Sequence, residues 1–307
     1  YQSQLQSLKQ QLTTLEQQNE KTNKFEENIS GEVQQYQSQL QSLKQQLTTL
    51  EQHSREYNKI TNQIMNSNKI YGHNRVLDEE AVMLAINNLN NNVDINKQKI
   101  KHFIFVANKF VNQENNLIGR FACSIENLLF RYILLQSLKQ KKINVLEIGT
   151  LFGISLQLMI RELSLNNVEV FADIIDPLNG FYNEEKDMFT GYPITPDIFQ
   201  ENLKKNNVNK KNINLIKQLS TENNINLKYH PYDIVFIDGD HTYSGIKNDY
   251  ELSRDHLKKN GILIFDDYKN INWPGVSEFI NSELLINNQN YIKIFDNFNL
   301  IAFKKIK

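Results

Sequence analysis

Acidic residues stand at the ends of two predicted strands in the second half of the chain. Asp238 and Asp240 follow one apolar run. Asp266 and Asp267 follow the next one. Neighbouring parallel strands place their carboxyl ends at one edge of a sheet, where open α/β sheets bind ligands. Four carboxylates at that edge would repel one another unless a cation lay between them. A hard divalent ion, usually Mg²⁺, is one solution; solvated carboxylates that cap helices are the alternative.

A glycine-containing turn in the segment VLEIGTLFG marks a second candidate ligand site. A glycine between a strand and a helix lets a ligand approach the backbone beside a helix N-terminus. A dinucleotide fingerprint would need small residues where Leu151 and Ile154 stand, so a pyrophosphate is disfavoured. Glu147, just before Gly149, suits an amino-bearing ligand, and Asp176 suits ribose hydroxyls. The set favours a nucleoside that carries an amino acid, although a glycine turn without a ligand remains the alternative.

Short apolar runs alternate with amphipathic stretches from Ile143 onward, which is typical of a parallel sheet flanked by helices. The candidate strands are 144–148, 169–175, 214–217, 234–238 and 261–265. The candidate helices are 155–163, 196–206, 221–227 and 245–257. Residues 291–295 and 299–304 predict a terminal β-hairpin, and helical periodicity at 100–111 and 119–140 predicts helices that cover one end of the domain. The fold class is therefore α/β.

The N-terminal part of the chain is a repeat with a heptad pattern. Residues 1–17, YQSQLQSLKQQLTTLEQ, recur unchanged at 36–52, an offset of 35 residues or five heptads. The apolar positions alternate at spacings of three and four, which predicts a left-handed α-helical coiled coil. They are Leu5, Leu8, Leu12, Leu15, Ile29, Val33, Tyr36, Leu40, Leu43, Leu47, Leu50, Tyr57 and Ile64. We expect an oligomerising stalk; one that docks another protein, or a helix folded back on its own domain, is the alternative.

Three segments follow from these patterns. Residues 1–65 are the predicted coiled-coil stalk, residues 66–118 a helical linker or lid region, and residues 119–307 the predicted catalytic domain. The chain opens with Tyr1 and not with Met, which suggests a fragment or a processed product.

Composition narrows the classes of function. The 307 residues include 34 Lys and Arg against 35 Asp and Glu, so no basic surplus is available to neutralise phosphates and a nucleic-acid partner is not expected. One cysteine excludes an intramolecular disulfide and a Cys-based zinc cluster. No apolar run is long enough for a membrane span. We expect a cytoplasmic protein.

The segments EIGTLFG, IIDPLNG and YDIVFIDGDHTYSGIKNDYELSRDHLKKNGILIFDDY, followed by WPGV, resemble class I S-adenosylmethionine-dependent methyltransferases. The resemblance covers residues 119–307 and is greatest to the branch of metal-dependent sugar and catechol-type O-methyltransferases. It implies a Rossmann-like fold with a seven-stranded sheet of order 3-2-1-4-5-7-6 and an antiparallel strand 7. It also implies S-adenosylmethionine as cofactor and a hydroxyl of a sugar or glycan as acceptor.

The resemblance assigns the cation site and the base. Asp238, Asp266 and Asp267 match the metal ligands of the family, with Mg²⁺ or another divalent cation. Catechol-type relatives carry Asn where Asp267 stands, so this position resembles the sugar-modifying branch. His241 is the expected general base, because an ordinary imidazole pKa of about 6.5 suits proton removal near neutral pH. Asp240 is the competing base, and His241 could instead only orient it.

The resemblance also assigns the cofactor contacts. Glu147 and Gly149 are expected at the methionine end, Asp176 at the ribose and Ser220 near the adenine. The remaining expected cofactor contacts are Thr150, Gly153 and Asp238.

The acceptor is expected to bind beside a long loop at residues 177–196. Loops of this length in compact domains are usually functional, and Tyr182, Phe189 and Tyr192 could stack on a sugar ring. Trp273 either lines the same pocket or anchors the loop.

Three other interpretations remain open at this level. One is a metal-independent methyltransferase of the same fold. Another is a coiled-coil scaffold whose domain binds S-adenosylmethionine without turnover. An oxidoreductase is the most distant of the three. In each case we expect a homo-oligomer formed through the stalk.

Overall fold

The computed structural model describes residues 2–23, 36–48, 70–71, 74–75, 83, 86, 96–111, 116–180, 184–286 and 289–307. The chain divides into two compact units, residues 1–66 with 80–88 and residues 67–79 with 89–307. Among the described helices, none combines the length and the apolar character needed to cross a membrane.

The larger unit contains a seven-stranded sheet with the order β5-β4-β3-β6-β7-β9-β8. Only β9 runs antiparallel to its neighbours β7 and β8. The strands are β3 (Lys142–Ile148), β4 (Glu169–Ile175), β5 (Ile213–Ile216), β6 (Tyr232–Ile237), β7 (Leu257–Phe265), β8 (Tyr291–Asn297) and β9 (Leu300–Lys305). A separate two-stranded pair joins β1 (Ile70–Tyr71) and β2 (Asn74–Arg75). The order confirms the predicted Rossmann-like methyltransferase sheet, including its antiparallel last strand.

Helices flank this sheet. They are α3 (Lys97–Val111), α4 (Ile125–Ser137), α5 (Ile154–Ser164), α6 (Pro196–Lys205), α7 (Tyr243–Arg254) and α8 (Pro274–Phe279), which continues as a wider turn over Ile280–Leu285. Short 3₁₀ geometry at Lys210–Asn212 precedes β5. Helix α4 begins where the hydroxyl of Ser124 accepts the N–H of Asn127 at 3.2 Å. Unlike an ordinary surface helix, α4 is buried on nearly all sides.

Three predicted helical segments differ from the structure. The segment predicted at 119–140 is helical only over Ile125–Ser137, because Ser124 caps its N-terminus. Residues 221–227 are not helical, because Asn224 has a left-handed backbone (φ 62°). The N–H groups of Lys228 and Tyr229 then bond to Asp173, at 3.0 and 2.7 Å. Helix α7 ends at Arg254, since β7 already begins at Leu257 and pairs there with Tyr232.

The register of the sheet determines which residues share its functional edge. Ile148 pairs with Ile175 on one side and with Ile237 on the other, and Ile237 pairs with Phe265. Strand β6 lies at the centre, with all six of its residues buried. The residues that follow β3, β4, β6 and β7 therefore emerge side by side at one edge.

The smaller unit contains helix α1 (Gln2–Asn23) and helix α2 over residues 36–48. Lys44 Nζ lies 3.3 Å from Glu16 Oε1, and Leu15 and Leu43 line one groove. The two copies of the repeat thus contact each other within one chain. The described heptad leucines are half-buried. The coiled coil itself stays a prediction, and its positions Ile29, Val33, Leu50, Tyr57 and Ile64 lie outside the described residues.

Candidate active site

The turn after β3 contacts the turn after β6 closely. Gly149 has a φ of 82°, which favours glycine. A Cβ atom on Gly149 would lie 2.0 Å from the carbonyl oxygen of Asp238. The Asp238 N–H donates to the carbonyl of Ile148 at 2.8 Å. The two candidate ligand sites of the sequence are therefore one continuous site at the edge of the sheet.

Asp176, which follows β4, stabilises the glycine turn. Its Oδ2 accepts the N–H groups of Thr150 and Leu151 at 2.7 and 3.0 Å, and its Oδ1 accepts the N–H of Leu178 at 2.8 Å. Burial raises the pKa of Asp176 although these three donors oppose that shift. The expected ribose contact thus also fixes the shape of the turn on which a cofactor would lie.

Glu147 is a completely buried carboxyl beneath the same turn. The Thr150 hydroxyl donates to its Oε2 at 2.5 Å. Burial raises the pKa of Glu147 to about 8, against the opposing effects of Thr150 and Arg131. Its Oε1 has no hydrogen-bond partner among the residues that the structure describes. A buried acceptor without a donor fits an amino-bearing ligand above the turn.

Arg131 lies between carboxylates from three neighbouring strands. Its side chain is fully buried, and one guanidinium nitrogen, Nη2, donates to both Asp238 and Asp266. The contact to Asp238 Oδ2 measures 2.7 Å, and Nη1 lies 3.9 Å from Glu147 Oε1. The guanidinium of Arg131 thus lies between carboxylates that, from the sequence, were expected to repel one another.

Asp266 is held by further protein donors. Its Oδ1 accepts hydrogen bonds from the side-chain amide of Asn127 and from the N–H of Asp267, the latter at 2.9 Å. Only 3% of Asp266 is exposed. Its carboxylate is therefore directed into the protein, toward α4.

His241 lies between the two remaining carboxylates. Its Nε2 is 2.9 Å from Asp267 Oδ2 and 3.6 Å from Asp238 Oδ1. Trp273 stacks on the imidazole, with ring centroids 4.7 Å apart and an interplanar angle of 25°. Burial tends to raise the pKa of Asp267, but the hydrogen bond and the charge of His241 more than offset it and lower that pKa. The backbone of Asp267 is left-handed (φ 58°), a conformation that Asp tolerates better than most residues.

These three side chains form a group that could hold a metal ion. One donor atom from each of Asp238, His241 and Asp267 lies within 4.8 Å of the others. Two carboxylate oxygens and one imidazole nitrogen suit a divalent cation. The group shares Asp238 and Asp267 with the set expected from the sequence and contains His241 where that set had Asp266.

Three other expected site residues are Asp240, Ser220 and Gly153. Asp240 Oδ1 accepts the N–H of Thr242 at 2.9 Å at the start of α7, and its side chain is exposed. Ser220 lies beside the buried carboxyl of Asp249, whose pKa burial raises to about 7. Gly153 has a φ of 76° and precedes α5.

The loop at 177–196 is anchored to the chain before α4. Arg120 Nε donates to Asp187 Oδ1 at 2.8 Å, and both side chains are buried. Phe189 lies over the Arg120 guanidinium, 5.0 Å from ring centroid to Cζ. Phe189 and Tyr192 are 52% and 45% exposed, so aromatic faces remain accessible on this loop. Tyr182 lies outside the described residues.

Sequence reasoning missed Arg131 and Asn127. The available signal was a single cation, Arg131, within the apolar run LLFRYILL at 128–135. In the structure every residue of this run is buried. A charged residue at such a position is rarely buried unless it is paired.

Comparison with known proteins gives a family match for part of the larger unit. Residues 146–268 match a family described as a methyltransferase domain. With the sheet order, this match confirms the resemblance to class I S-adenosylmethionine-dependent methyltransferases noted in the sequence.

The chain is also similar to individual proteins, at 32% identity or less for those described below. An uncharacterised protein of Acanthamoeba polyphaga mimivirus is 32% identical over 157 residues, which is 48% of this chain and 62% of that protein. The chain thus matches less than two thirds of this relative's length. The O-methyltransferase NovP aligns at 9% identity and a TM-score of 0.44, over 69% of this chain and 81% of its own. The TDP-rhamnose 3'-O-methyltransferase of calicheamicin biosynthesis aligns at 13% identity and a TM-score of 0.42, over 69% and 97%.

Proposed function

We propose that this protein is a cation-dependent O-methyltransferase that transfers the methyl group of S-adenosylmethionine to a hydroxyl of a sugar or glycan. The observation that carries the proposal is the contact between the glycine turn after β3 and the turn after β6 that bears Asp238. It brings the residues proposed to bind the cofactor next to the group of Asp238, His241 and Asp267.

Residues around the glycine turn would bind the cofactor. Oε1 of Glu147, which has no donor among the residues that the structure describes, would accept a hydrogen bond from the methionine amino group. A carboxylate offers about four acceptor positions, and Asp176 uses three on backbone donors, which leaves one for a ribose hydroxyl. Ser220, Gly153 and the backbone of Asp238 complete the proposed set.

Asp238 and Asp267 fit a divalent cation, because their oxygens and His241 Nε2 converge within 4.8 Å. When bound, such an ion would lower the pKa of an acceptor hydroxyl. Mg²⁺ prefers oxygen ligands, and the two carboxylates supply them. Trp273 holds the imidazole of His241 by stacking, so this side chain keeps its orientation toward the acceptor.

His241 is the proposed base. In the transfer, the acceptor oxygen forms a bond to the methyl carbon while the carbon–sulfur bond breaks and its electron pair stays on sulfur. The products are a methyl ether and S-adenosylhomocysteine, and the hydroxyl proton passes to the imidazole. Asp240 is less suited, since its carboxylate accepts the backbone N–H of Thr242.

The acceptor is proposed to bind against Phe189 and Tyr192. Exposed aromatic rings provide faces for a sugar ring, and Arg120 and Asp187 hold the loop that carries them. The stalk at 1–65 is proposed to assemble copies of the chain into a homo-oligomer. Residues 66–118 are proposed as a helical linker or lid for the domain at 119–307, and no nucleic-acid partner is expected. A cytoplasmic location remains a prediction.

Calorimetric titration of S-adenosylmethionine, with and without Mg²⁺, is the first test. We expect micromolar binding by the wild-type protein and by Asp238→Asn, with Mg²⁺ binding lost only in the variant. Asp233→Asn is the matched control, because Asp233 is a buried acid at the other end of β6, paired with Lys258. No cofactor binding under any condition would exclude the enzyme and leave a scaffold.

A panel of sugar nucleotides and glycans then tests methyl transfer. His241→Gln should abolish turnover while Asp240→Asn retains it; the reverse pattern would assign the base to Asp240.

A metal-independent methyltransferase is the second candidate. It is favoured by the position of His241 Nε2, since an imidazolium there would itself neutralise Asp238 and Asp267. Turnover that continues unchanged in excess chelator would establish this alternative.

A further inference from the structure

Arg131 is a buried cation that belongs to none of the sites expected from the sequence. It reaches the edge of the sheet from α4, 107 positions before Asp238 in the chain. Its Nη2 joins the carboxylate at the end of β6 to the carboxylate at the end of β7. A buried arginine at this point changes which acids remain available for a divalent ion.

The contacts divide the carboxylate oxygens into an inner set, which faces Arg131 or α4, and an outer set, which faces His241. Both oxygens of Asp266 accept hydrogen bonds from protein donors, namely Arg131 on Oδ2 and Asn127 and the Asp267 N–H on Oδ1. Asp238 is divided between the two sets: Oδ2 faces Arg131, while Oδ1 faces His241.

Asp267 lies wholly in the outer set. Its Oδ2 faces His241, and its Oδ1 accepts the amide of Asn270 at 2.6 Å. The outer oxygens of Asp238 and Asp267 converge with the imidazole nitrogen, and Asp266 has no atom in that group.

We propose that Arg131 is a positioning residue that acts as a fixed internal cation, holding Asp266 out of the divalent-cation site so that the outer oxygens of Asp238 and Asp267 form it beside His241. The inference rests on the proposed cation-dependent function and deepens it by reassigning one ligand.

Electrostatics explains why the fold needs such a residue. Three ionised carboxylates at adjacent strand ends destabilise the folded state unless positive charge compensates them. Arginine suits this task, because it stays charged when buried and presents several N–H donors in a fixed plane. With Arg131 in place, the charge of Asp266 is compensated whether or not an ion is bound. The folded domain should therefore not depend on metal.

The first experiment measures Mn²⁺ binding by electron paramagnetic resonance in the absence of cofactor and acceptor. Asp267→Asn should raise the Mn²⁺ dissociation constant by at least about tenfold, because it removes the negative charge of an outer ligand. Asp266→Asn is the matched comparison at the neighbouring position and should stay within about threefold of wild type, a loss smaller than that of a ligand or its supporting partner. Equal weakening by the two substitutions would overturn the proposal.

The second experiment follows thermal unfolding of Arg131→Met in chelator and in Mn²⁺. Removal of the guanidinium frees Asp266, so Mn²⁺ should restore part of the lost melting temperature. The wild-type melting temperature should be the same in chelator as in buffer. Arg120→Met is the control, because it removes another buried arginine, paired with Asp187; Mn²⁺ should raise its melting temperature by no more than it raises that of the wild-type protein. Absence of recovery in a folded Arg131→Met protein would contradict the inference.

The comparison of Asp266→Asn with Asp267→Asn decides the question even where Arg131→Met does not fold. Both readouts are independent of methyl transfer, so loss of turnover with the expected Mn²⁺ pattern would remove the proposed function and keep the role of Arg131. Failure of the wild-type protein to bind Mn²⁺ would remove this inference and leave a metal-independent transferase.

Discussion

Substitution of Gly149 by alanine tests the close contact on which the whole site depends. Gly149 has a φ of 82°, and a Cβ atom there would lie 2.0 Å from the Asp238 carbonyl oxygen and 2.9 Å from Gly239 Cα. These are backbone atoms, so no side-chain rotation relieves the overlap. The turns after β3 and β6 would have to separate.

The magnitude follows from two contributions. A left-handed backbone costs alanine about 1–2 kcal/mol, and overpacking against a fixed neighbour adds about 1–3 kcal/mol. We therefore expect Gly149→Ala to lower the free energy of unfolding by about 2–5 kcal/mol. Gly191 is the matched control, because it has a φ of 71° and a Cβ atom added there would meet no described atom within 4 Å. Gly191→Ala should lower the free energy of unfolding only by the backbone contribution of about 1–2 kcal/mol.

Urea unfolding of both variants measures the difference, and calorimetry measures S-adenosylmethionine binding. Gly149→Ala should be the less stable of the two and should bind the cofactor more weakly. Equal stability losses would refute the reasoning, because they would show that the contact between the two turns costs nothing to open.

Three further predictions concern Glu147, the anchored loop and the repeat. The folded Glu147 carboxyl keeps its proton up to a pKa of about 8 while the unfolded one ionises above 4.5, so stability should fall by up to about 1.4 kcal/mol per pH unit between these values. Glu147→Gln should flatten that slope in urea titrations at pH 5 to 8, and an unchanged slope would place its source elsewhere. Asp187→Asn leaves Arg120 buried without its carboxylate and should cost about 3–5 kcal/mol by chemical denaturation; a loss near zero would mean that the pair does not anchor the loop. Leu12→Asn with Leu43→Asn should reduce the mass seen by light scattering to that of one chain, whereas a monomeric wild-type protein would exclude assembly through the repeat.

The local pattern of the sequence was sufficient for the strands and the glycine turn. Strand β4 has the bounds that its apolar run predicts, and the turn after β3 needs glycine because of its positive φ. The hairpin of β8 and β9 also follows from a short polar turn between two apolar runs. These features depend on residues near one another in the chain, so periodicity and backbone preference reveal them.

The same reasoning was wrong where a distant contact overrode local preference. Residues 221–227 were predicted as a short helix, but the chain beyond them bonds through its N–H groups to Asp173 on β4. The expected order of the sheet came from the family resemblance and not from periodicity.

The sequence by itself determined that acids follow two strands of an α/β sheet and that a glycine turn follows another. Only the tertiary structure decided that Arg131, from a helix far earlier in the chain, lies among those acids and pairs with Asp266. Two carboxylates at neighbouring strand ends can bind a metal, a guanidinium or water with the same local sequence. Which of these they bind depends on what the rest of the fold packs against them, because burial makes an unpaired charge too costly to leave.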